Sequence, residues 1–230
     1  DWIDFETTVS TSSDQVVLAP GYLQKTWEQD GRRYFHYKMD RPMLPFFAYL
    51  SANWAVKKGD WKGLPIEIYH DPKHAYNVDR MIYGVQKSLD YFSVNFTPYQ
   101  HKQVRILEFP RYAAFAQSFA NTIPYSEAIG FIADLRDKNN VDYVFYVTAH
   151  EMAHQWWAHQ VVGANVQGST MLTESLAQYS ALMVMEKEYG REHMRRFFKD
   201  ELDNYLRSRR GEQIEELPLY RTPDLVQLHL

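Results

Sequence analysis

The stretch HEMAHQWWAHQ, His150 to Gln160, places two histidines four residues apart, with a glutamate directly after the first. Around it, from Val141 to Trp156, apolar side chains recur at spacings of three and four, which predicts a buried helix from Asp142 onward. Side chains four residues apart lie on one face of a helix, so His150 and His154 can direct their imidazoles at a common point. The spacing therefore predicts two ligands of one metal ion.

A third carboxylate follows in MLTESLAQY, where Glu174 lies twenty residues after His154. The segment from Gly163 to Thr170 is rich in small and polar residues, so the next helix can turn back and bring Glu174 to the histidines. Three protein ligands leave the fourth position of a zinc ion to water, as expected of a catalytic site. Glu151 is rotated by about a hundred degrees from the ligand face, and we expect it to be the general base that deprotonates this water.

Two further residues lie near the predicted ligands. Gln178, one turn after Glu174, is a candidate for the hydrogen-bond partner that fixes a histidine tautomer, although an ordinary helix-surface residue is the alternative interpretation. His159 comes five residues after His154 and points about 140° away from the ligand face, so we expect it not to bind the ion. One zinc ion held by three ligands is the predicted cofactor.

The composition limits the class of protein. A chain of 230 residues with 45% hydrophobic content can bury a large core. Its net charge of −4 provides no broad basic surface, so nucleic acid is not an expected partner. It has no cysteine, so a metal must be held by His, Asp or Glu, and the redox state of the compartment stays open. No segment predicts a membrane span. The expected partner is a peptide or protein substrate.

Strand and helix signals divide the chain. Before about residue 70, short β-branched and aromatic segments predict strands, among them QVVLAP, RRYFHYKMD and LPIEIYH. Asp71-Pro72 has the residue types of a helix start, which predicts a helix to about Asn95, and QVRILEF predicts a buried strand. Helices are then predicted from 142, over 171–189 up to Gly190, and over 191–208. This pattern favours an α+β fold.

The motifs resemble those of the aminopeptidase N family of zinc metallopeptidases, peptidase family M-one, among the thermolysin-like gluzincins. HEMAHQWW is similar to the family's H-E-x-x-H-x-W segment, and LTESLAQY to its L-N-E-G-F-A-x-Y segment. The resemblance implies His150, His154 and Glu174 as zinc ligands and Glu151 as the base. It also implies that residues 1–63 end a β-rich N-terminal domain. Residues 64–230 would then form the first part of a zincin catalytic domain, with a mixed sheet plus helices, truncated at its C-terminal end.

The chain departs from the family pattern at the substrate-binding motif. Tyr125-Ser126-Glu127 looks like the Y-R-E that follows the family's G-A-M-E-N motif, and counting back places Ser118 where that motif has its amine-binding glutamate. A neutral serine cannot pair with an ammonium group. Anchoring of the amine is therefore expected from Glu127 or is absent, and Glu127, Tyr125 and Ser118 form the candidate substrate-binding set.

Two other departures concern spacing and length. The interval from His154 to Glu174 is one residue longer than is usual in the family, and we expect the intervening loop to absorb it. The family's oxyanion-stabilising tyrosine stands in a Y-x-K-G context that this chain lacks, while Tyr205 and Tyr220 lie out of context. The segment is therefore expected to end before that tyrosine, and whether the segment is active by itself stays open.

These features leave two functions open. The first is a zinc-dependent metallopeptidase, acting as an aminopeptidase or as an endopeptidase. The second is a non-catalytic peptide-binding or sensor module that retains the zinc site. The stretches MDRPMLPFFAYL and NVQGSTMLTESLAQYSALMVME are also similar to a bacterial subgroup in which such a domain follows a permease-like membrane region. That similarity implies a membrane region elsewhere in a longer protein.

Overall fold

The computed structural model of the chain describes residues 1–137, 141–211 and 216–221. Its strands are β1 Glu6–Ser12, β2 Val16–Leu18, β3 Tyr22–Gln29, β4 Arg32–Lys38, β5 Leu50–Ala52, β6 Ala55–Trp61, β7 Leu64–His70, β8 Val104–Phe109 and β9 Thr122–Ser126. Its α-helices are α1 Val78–Asn95, α2 Tyr143–His154, α3 Leu176–Tyr189 and α4 Arg191–Arg209. A π-helical turn, Met171–Ser175, precedes α3, and a short 3-10 turn covers Leu219–Arg221. This mixture confirms the predicted α+β class.

The first five strands form a small β region with its own core. Strands β1, β4 and β3 pair antiparallel in that order, and β2 pairs with β5. In β4, Phe35 and Tyr37 are buried while the alternating side chains are more exposed, because successive side chains of a strand point to opposite faces of the sheet. The Tyr37 hydroxyl donates to the carbonyl of Val17 over 3.0 Å, which ties this sheet to β2. The core of the region is therefore fixed by the inward side chains of β4.

The second sheet has the order β6, β7, β8, β9, with an antiparallel β6–β7 pair followed by two parallel pairs. Every residue of β8 and β9 is buried, as expected for parallel strands covered on both faces. Helices α1, α2 and α3 pack together over a shared apolar core with this sheet. The predicted domain boundary at 63/64 falls in the turn of the β6–β7 hairpin, and it stays a prediction.

Helix α1 begins later than its sequence signal predicted. The Lys73 amide donates to Asp71 Oδ1 over 2.8 Å, and the His74 amide donates to the Asp71 carbonyl over 2.8 Å. Asp71 and Pro72 thus form a turn, and the helix starts only at Val78. The prediction of a helix start at Asp71 was wrong because aspartate followed by proline suits the first two positions of a β-turn as well as it suits a helix start.

The helices that carry the predicted site agree with expectation. Asp142 caps α2, since its Oδ1 accepts the amide hydrogen of Phe145 over 2.9 Å. Helix α3 ends at Gly190, whose φ of +80° is readily adopted by glycine. Among the described residues, no helix has both the length and the apolar character needed to cross a bilayer.

Candidate metal centre and substrate cleft

Helix α2 presents the two histidines one turn apart inside the protein. The Nε2 atoms of His150 and His154 lie 3.0 Å apart, and their rings are nearly perpendicular, at 89°. Both side chains are buried. After His154, Trp156 anchors the end of the helix by donating from Nε1 to the carbonyl of Thr97 over 2.9 Å. The pair is therefore held on a rigid element.

Glu174 reaches the histidines from the π-helical turn before α3. Its Oε2 lies 3.4 Å from His150 Nε2 and 3.4 Å from His154 Nε2. A π turn closes its hydrogen bond over one more residue than an α turn does, and π turns are frequent at functional sites. The interval from His154 to Glu174 contains one residue more than is usual in the family. This turn, as well as the loop before it, can accommodate that residue.

The donor atoms of these three residues suit a zinc ion. Zinc bonds of about 2.0–2.2 Å in tetrahedral geometry place neighbouring donor atoms about 3.3–3.6 Å apart. The two distances from Glu174, both 3.4 Å, fall in this range, and the 3.0 Å between the histidines lies slightly below it. His154 Nδ1 donates to the carbonyl of Trp157 over 3.1 Å, which leaves the lone pair on Nε2 for a cation. Two imidazoles and one carboxylate with no thiolate form a donor set of the catalytic type.

The Nδ1 atom of His150, unlike that of His154, has no hydrogen-bond partner among the described residues. His150 Nδ1 and Gln178 Oε1 are both buried atoms that have no hydrogen-bond partner among the described residues. The structure records no hydrogen bond between them, so the part of Gln178 in fixing a tautomer stays a prediction. The carbonyl of Trp157, which the sequence did not single out, fills this role for His154.

The charges of the site are strongly coupled. Burial opposes protonation of His154, but hydrogen bonding to Glu174 and the charge of Glu151 outweigh it and raise the pKa of His154 to about 9. Burial likewise opposes ionisation of Glu174, yet hydrogen bonds from His150 and His154 hold the pKa of Glu174 far below its usual value. At neutral pH His154 therefore holds a proton that pairs with ionised Glu174, and a metal ion that binds these three residues has to displace this proton.

Glu151 has different surroundings. Its side chain is only 5% exposed, and its Oε2 has no hydrogen-bond partner among the described residues. Burial raises the pKa of Glu151, while the charges of His150 and His154 lower it by less. A carboxylate with a free oxygen and a raised pKa is suited to accept and return a proton.

All four residues line one open cleft of about 280 Å³. Its remaining lining residues are Leu44, Phe46, Ala116, Gln117, Ser118, Ala158, His159 and Thr173. Leu44 and Phe46 come from the N-terminal region, and no sequence pattern connects them to the site because they lie almost a hundred residues before the start of α2. The cleft is therefore built from both regions of the chain.

Residues 115–119 form one wall of this cleft as an irregular edge beside β9. The Gln117 amide donates to the carbonyl of Pro124 over 3.0 Å, and the Ser126 amide donates to the carbonyl of Phe115 over 3.0 Å. These two bonds flank an antiparallel bridge between Ala116 and Tyr125. In such a pair the backbone groups of Ala116 point away from β9, toward the free side of the edge.

Helix α2 and the residues after it hold this edge in place. Gln155 Nε2 donates to Ser118 Oγ over 2.5 Å and to the carbonyl of Phe119 over 2.9 Å, while Gln155 Oε1 accepts from the Asn121 amide over 3.0 Å. His159 Nε2 donates to the carbonyl of Ser118 over 3.0 Å. Burial lowers the pKa of His159 to about 4, so this imidazole is neutral. Gln155 directly follows the ligand His154, and that adjacency was the signal by which sequence reasoning could have found it.

The three predicted substrate-binding residues lie in different places. Ser118 lines the cleft. Tyr125 is fully buried in the core between the sheet and the helices. Glu127 lies outside the cleft lining and forms ion pairs with Arg111 at 3.5 Å and with His74 at 3.8 Å. Of these three residues, the structure therefore brings Ser118 alone to the predicted ligands, and substrate binding by all three stays a prediction.

Comparison with known families and proteins adds one match. The family described as "Peptidase family M1 domain" matches residues 81–216, well over half of the chain. This segment contains His150, Glu151, His154 and Glu174. No curated protein matches the chain.

Proposed function

Because the chain belongs to peptidase family M1, we propose that it hydrolyses peptide bonds with a zinc ion held by His150, His154 and Glu174 and with Glu151 as the general base. Membership of the family supports a hydrolase of the peptidase class. The convergence of three ligand atoms beside a buried carboxylate in an open cleft is the observation that carries the finer proposal. A closed structural site would instead have a fourth protein ligand.

The chemistry divides between the ion and the protein. Zinc, when bound, supplies a Lewis acid that lowers the pKa of water and polarises the scissile carbonyl. Glu151 takes the proton of the attacking water and passes it to the leaving amine. Its Oε2 has no partner among the described residues, so this oxygen is available for the transfer. The Trp157 carbonyl keeps His154 in the tautomer that offers Nε2 to the ion.

The edge at Ala116 supports a peptide as the substrate. The backbone groups of Ala116 point away from β9, and this residue lines the cleft. An extended peptide can pair with such an edge through its own backbone, independently of its side chains. The scissile bond would then lie along the wall that faces Glu151 and the ligands.

Matched pairs of peptides with a free or an acetylated N-terminus test the proposal. The zinc-loaded full-length protein should hydrolyse peptides, lose this activity to a chelator and regain it with added zinc. Aminopeptidase action predicts cleavage of the free-amine member of each pair alone, and endopeptidase action predicts cleavage of both. Peptide binding without cleavage would contradict the proposal and favour the non-catalytic module.

A further inference from the structure

Two side chains that line the zinc cleft, Leu44 and Phe46, lie outside the segment that matches the peptidase family. They stand on either side of Pro45, next to an anchored residue, Met43. The backbone of Met43 exchanges two hydrogen bonds with that of Ile3, at 2.8 and 2.9 Å, and its side chain is 2% exposed. Leu44 and Phe46 therefore project into the cleft from a fixed position.

The Phe46 ring is held on one side and open on the other. It makes an edge contact with the ring of Phe119, with centroids 5.0 Å apart and planes at 76°. The residue is nevertheless 43% exposed. An ordered aromatic ring that stays exposed at the mouth of a catalytic cleft offers apolar area that a ligand can bury.

The rest of the lining favours an uncharged group beside Phe46. Ala116 and Ala158 add small apolar walls. Among the described residues that line the cleft, the carboxylates are Glu151 and Glu174, and the proposed function assigns both of them to the reaction. A cationic substrate side chain placed here would lose its hydration without gaining a partner, whereas an apolar one would gain from burial.

We propose that Leu44 and Phe46 form a specificity subsite for an aromatic or large aliphatic side chain next to the scissile bond. This inference rests on the proposed function, because it assumes that a peptide lies in the cleft. It assigns to the N-terminal region a part in choosing the substrate, while the ligands and the base come from the second region of the chain.

Kinetics with peptides that differ at a single position test the subsite. Phe, Leu, Ala and Lys would be placed in turn on each side of the scissile bond, and kcat/KM measured for the zinc-loaded full-length protein. We expect Phe and Leu to exceed Ala by about tenfold, which is typical for an apolar pocket, and to exceed Lys by more. Phe46→Ala should bring kcat/KM for the Phe and Leu peptides down to about the value that the same variant has for the Ala peptide.

Phe47→Ala is the matched control. The Phe47 ring contacts Phe5 and Tyr49 and does not line the cleft. The Phe47→Ala variant should therefore retain the preference of the parent protein for Phe and Leu peptides over the Ala peptide. Thermal unfolding of both variants would show whether each is folded. Equal kcat/KM for Phe and Ala peptides in the parent chain, or an unchanged preference in Phe46→Ala, would overturn the subsite.

A binding measurement on the metal-free chain separates the subsite from the proposed reaction. Calorimetry should give a Kd about tenfold lower for the Phe peptide than for the Ala peptide, and Phe46→Ala should abolish the difference. If the preference appears in binding and no peptide is hydrolysed, the subsite is supported and the proposed function fails. If peptides are hydrolysed without any preference, the subsite alone fails.

Discussion

Glu151 and Glu174 have the same functional group, but their surroundings shift the pKa of the two carboxyl groups in opposite directions. Glu174 receives hydrogen bonds from two imidazoles, which lower its pKa and keep it ionised for binding a cation. Glu151 is buried with one oxygen unpartnered among the described residues, and its pKa is raised. Environments that shift two carboxyl groups in opposite directions separate their roles. The difference between ligand and base thus lies in the neighbours of each residue.

Replacing Glu151 by Gln tests that division. The amide keeps the size of the side chain but cannot take a proton, so kcat/KM for peptides should fall by at least about a hundredfold. Zinc content, measured by elemental analysis, should stay at about one equivalent because Glu151 is not a ligand in the proposal. Glu192→Gln, on the exposed surface of α4, is the control and should change neither quantity. Peptidase activity equal to that of the parent chain would contradict the assigned base.

Ala158, four residues after His154, has a strained backbone. Its φ of +144° lies in a region that favours glycine, and the residue lines the cleft. Ala158→Gly should raise the free energy of unfolding by about 1 kcal/mol, because the relief of strain exceeds the added flexibility of the unfolded chain. Urea unfolding would measure the change.

Ala177→Gly, inside α3, is the control, and it should change the free energy of unfolding in the opposite direction. There the same substitution should lower the free energy of unfolding by about 1 kcal/mol, because glycine is a poor helix former. A loss of stability in Ala158→Gly similar to that in the control would show that the backbone at Ala158 is not strained.

At the scale of elements, α2 carries His150 and His154, and Gln155, directly after this helix, holds the wall of the cleft. The side chain of Gln155 makes three hydrogen bonds to the segment from Ser118 to Asn121 and is fully buried. Any movement of this wall would therefore disturb the element that holds His150 and His154. The three hydrogen bonds of Gln155 set the distance between this edge and the helix that carries His150 and His154.

Gln155→Ala should loosen this wall. It leaves buried groups of Ser118, Phe119 and Asn121 without their partner, which should lower the free energy of unfolding by about 3 kcal/mol. Gln86→Ala removes a single exposed hydrogen bond to the carbonyl of Asp60 and should cost less than about 1 kcal/mol. Urea unfolding of both variants measures the difference. Equal losses of unfolding free energy in the two variants would mean that the buried hydrogen bonds of Gln155 stabilise the fold no more than one exposed hydrogen bond does.

The sequence predicts α2 correctly but misses the start of α1 and the π turn, and each outcome has a physical reason. Helix α2 was found because its apolar period continues to Trp156 and Asp142 caps it. The start of α1 was misplaced because Asp71-Pro72 suits a turn as well as a helix. The π turn that carries Glu174 was not foreseen, because one extra residue can be absorbed by a loop or by a helix without changing the apolar pattern.

At the scale of the whole molecule, the cleft joins parts of the chain that are far apart in sequence. Leu44 and Phe46 meet the wall at residues 116–118 and the ligands of α2. Helical spacing revealed His150 and His154 because it is a local property. Contacts between the N-terminal region and the cleft depend on how two cores pack together, and no periodicity in the sequence reports this.

Zinc binding should depend on pH through His154. Its pKa in the metal-free protein is raised to about 9, above the ordinary value of 6.5, so a proton stabilises the metal-free fold. That stabilisation is fully present below about pH 6.5 and is lost as pH rises through about 9. Zinc must displace this proton, so the apparent zinc affinity should rise by up to roughly tenfold per pH unit until about pH 9.

Calorimetry in buffers of different protonation enthalpy measures the displaced proton. At pH 8 we expect close to one proton released from His154 for each zinc bound. His36→Ala, at a surface ion pair with Glu6, is the control and should leave this number unchanged. A zinc affinity that does not change between pH 6 and pH 9 would contradict the coupling.

The most direct test of the account is the position of the metal itself. Crystals of the zinc-loaded chain, measured on both sides of the zinc absorption edge, should give one anomalous peak at about 2.0–2.2 Å from His150 Nε2, His154 Nε2 and a carboxylate oxygen of Glu174. The other group of potential ligands, formed by His74, Glu108 and Glu127, should give none. A peak at that second group, or no peak between the two histidines and Glu174, would contradict the central claim.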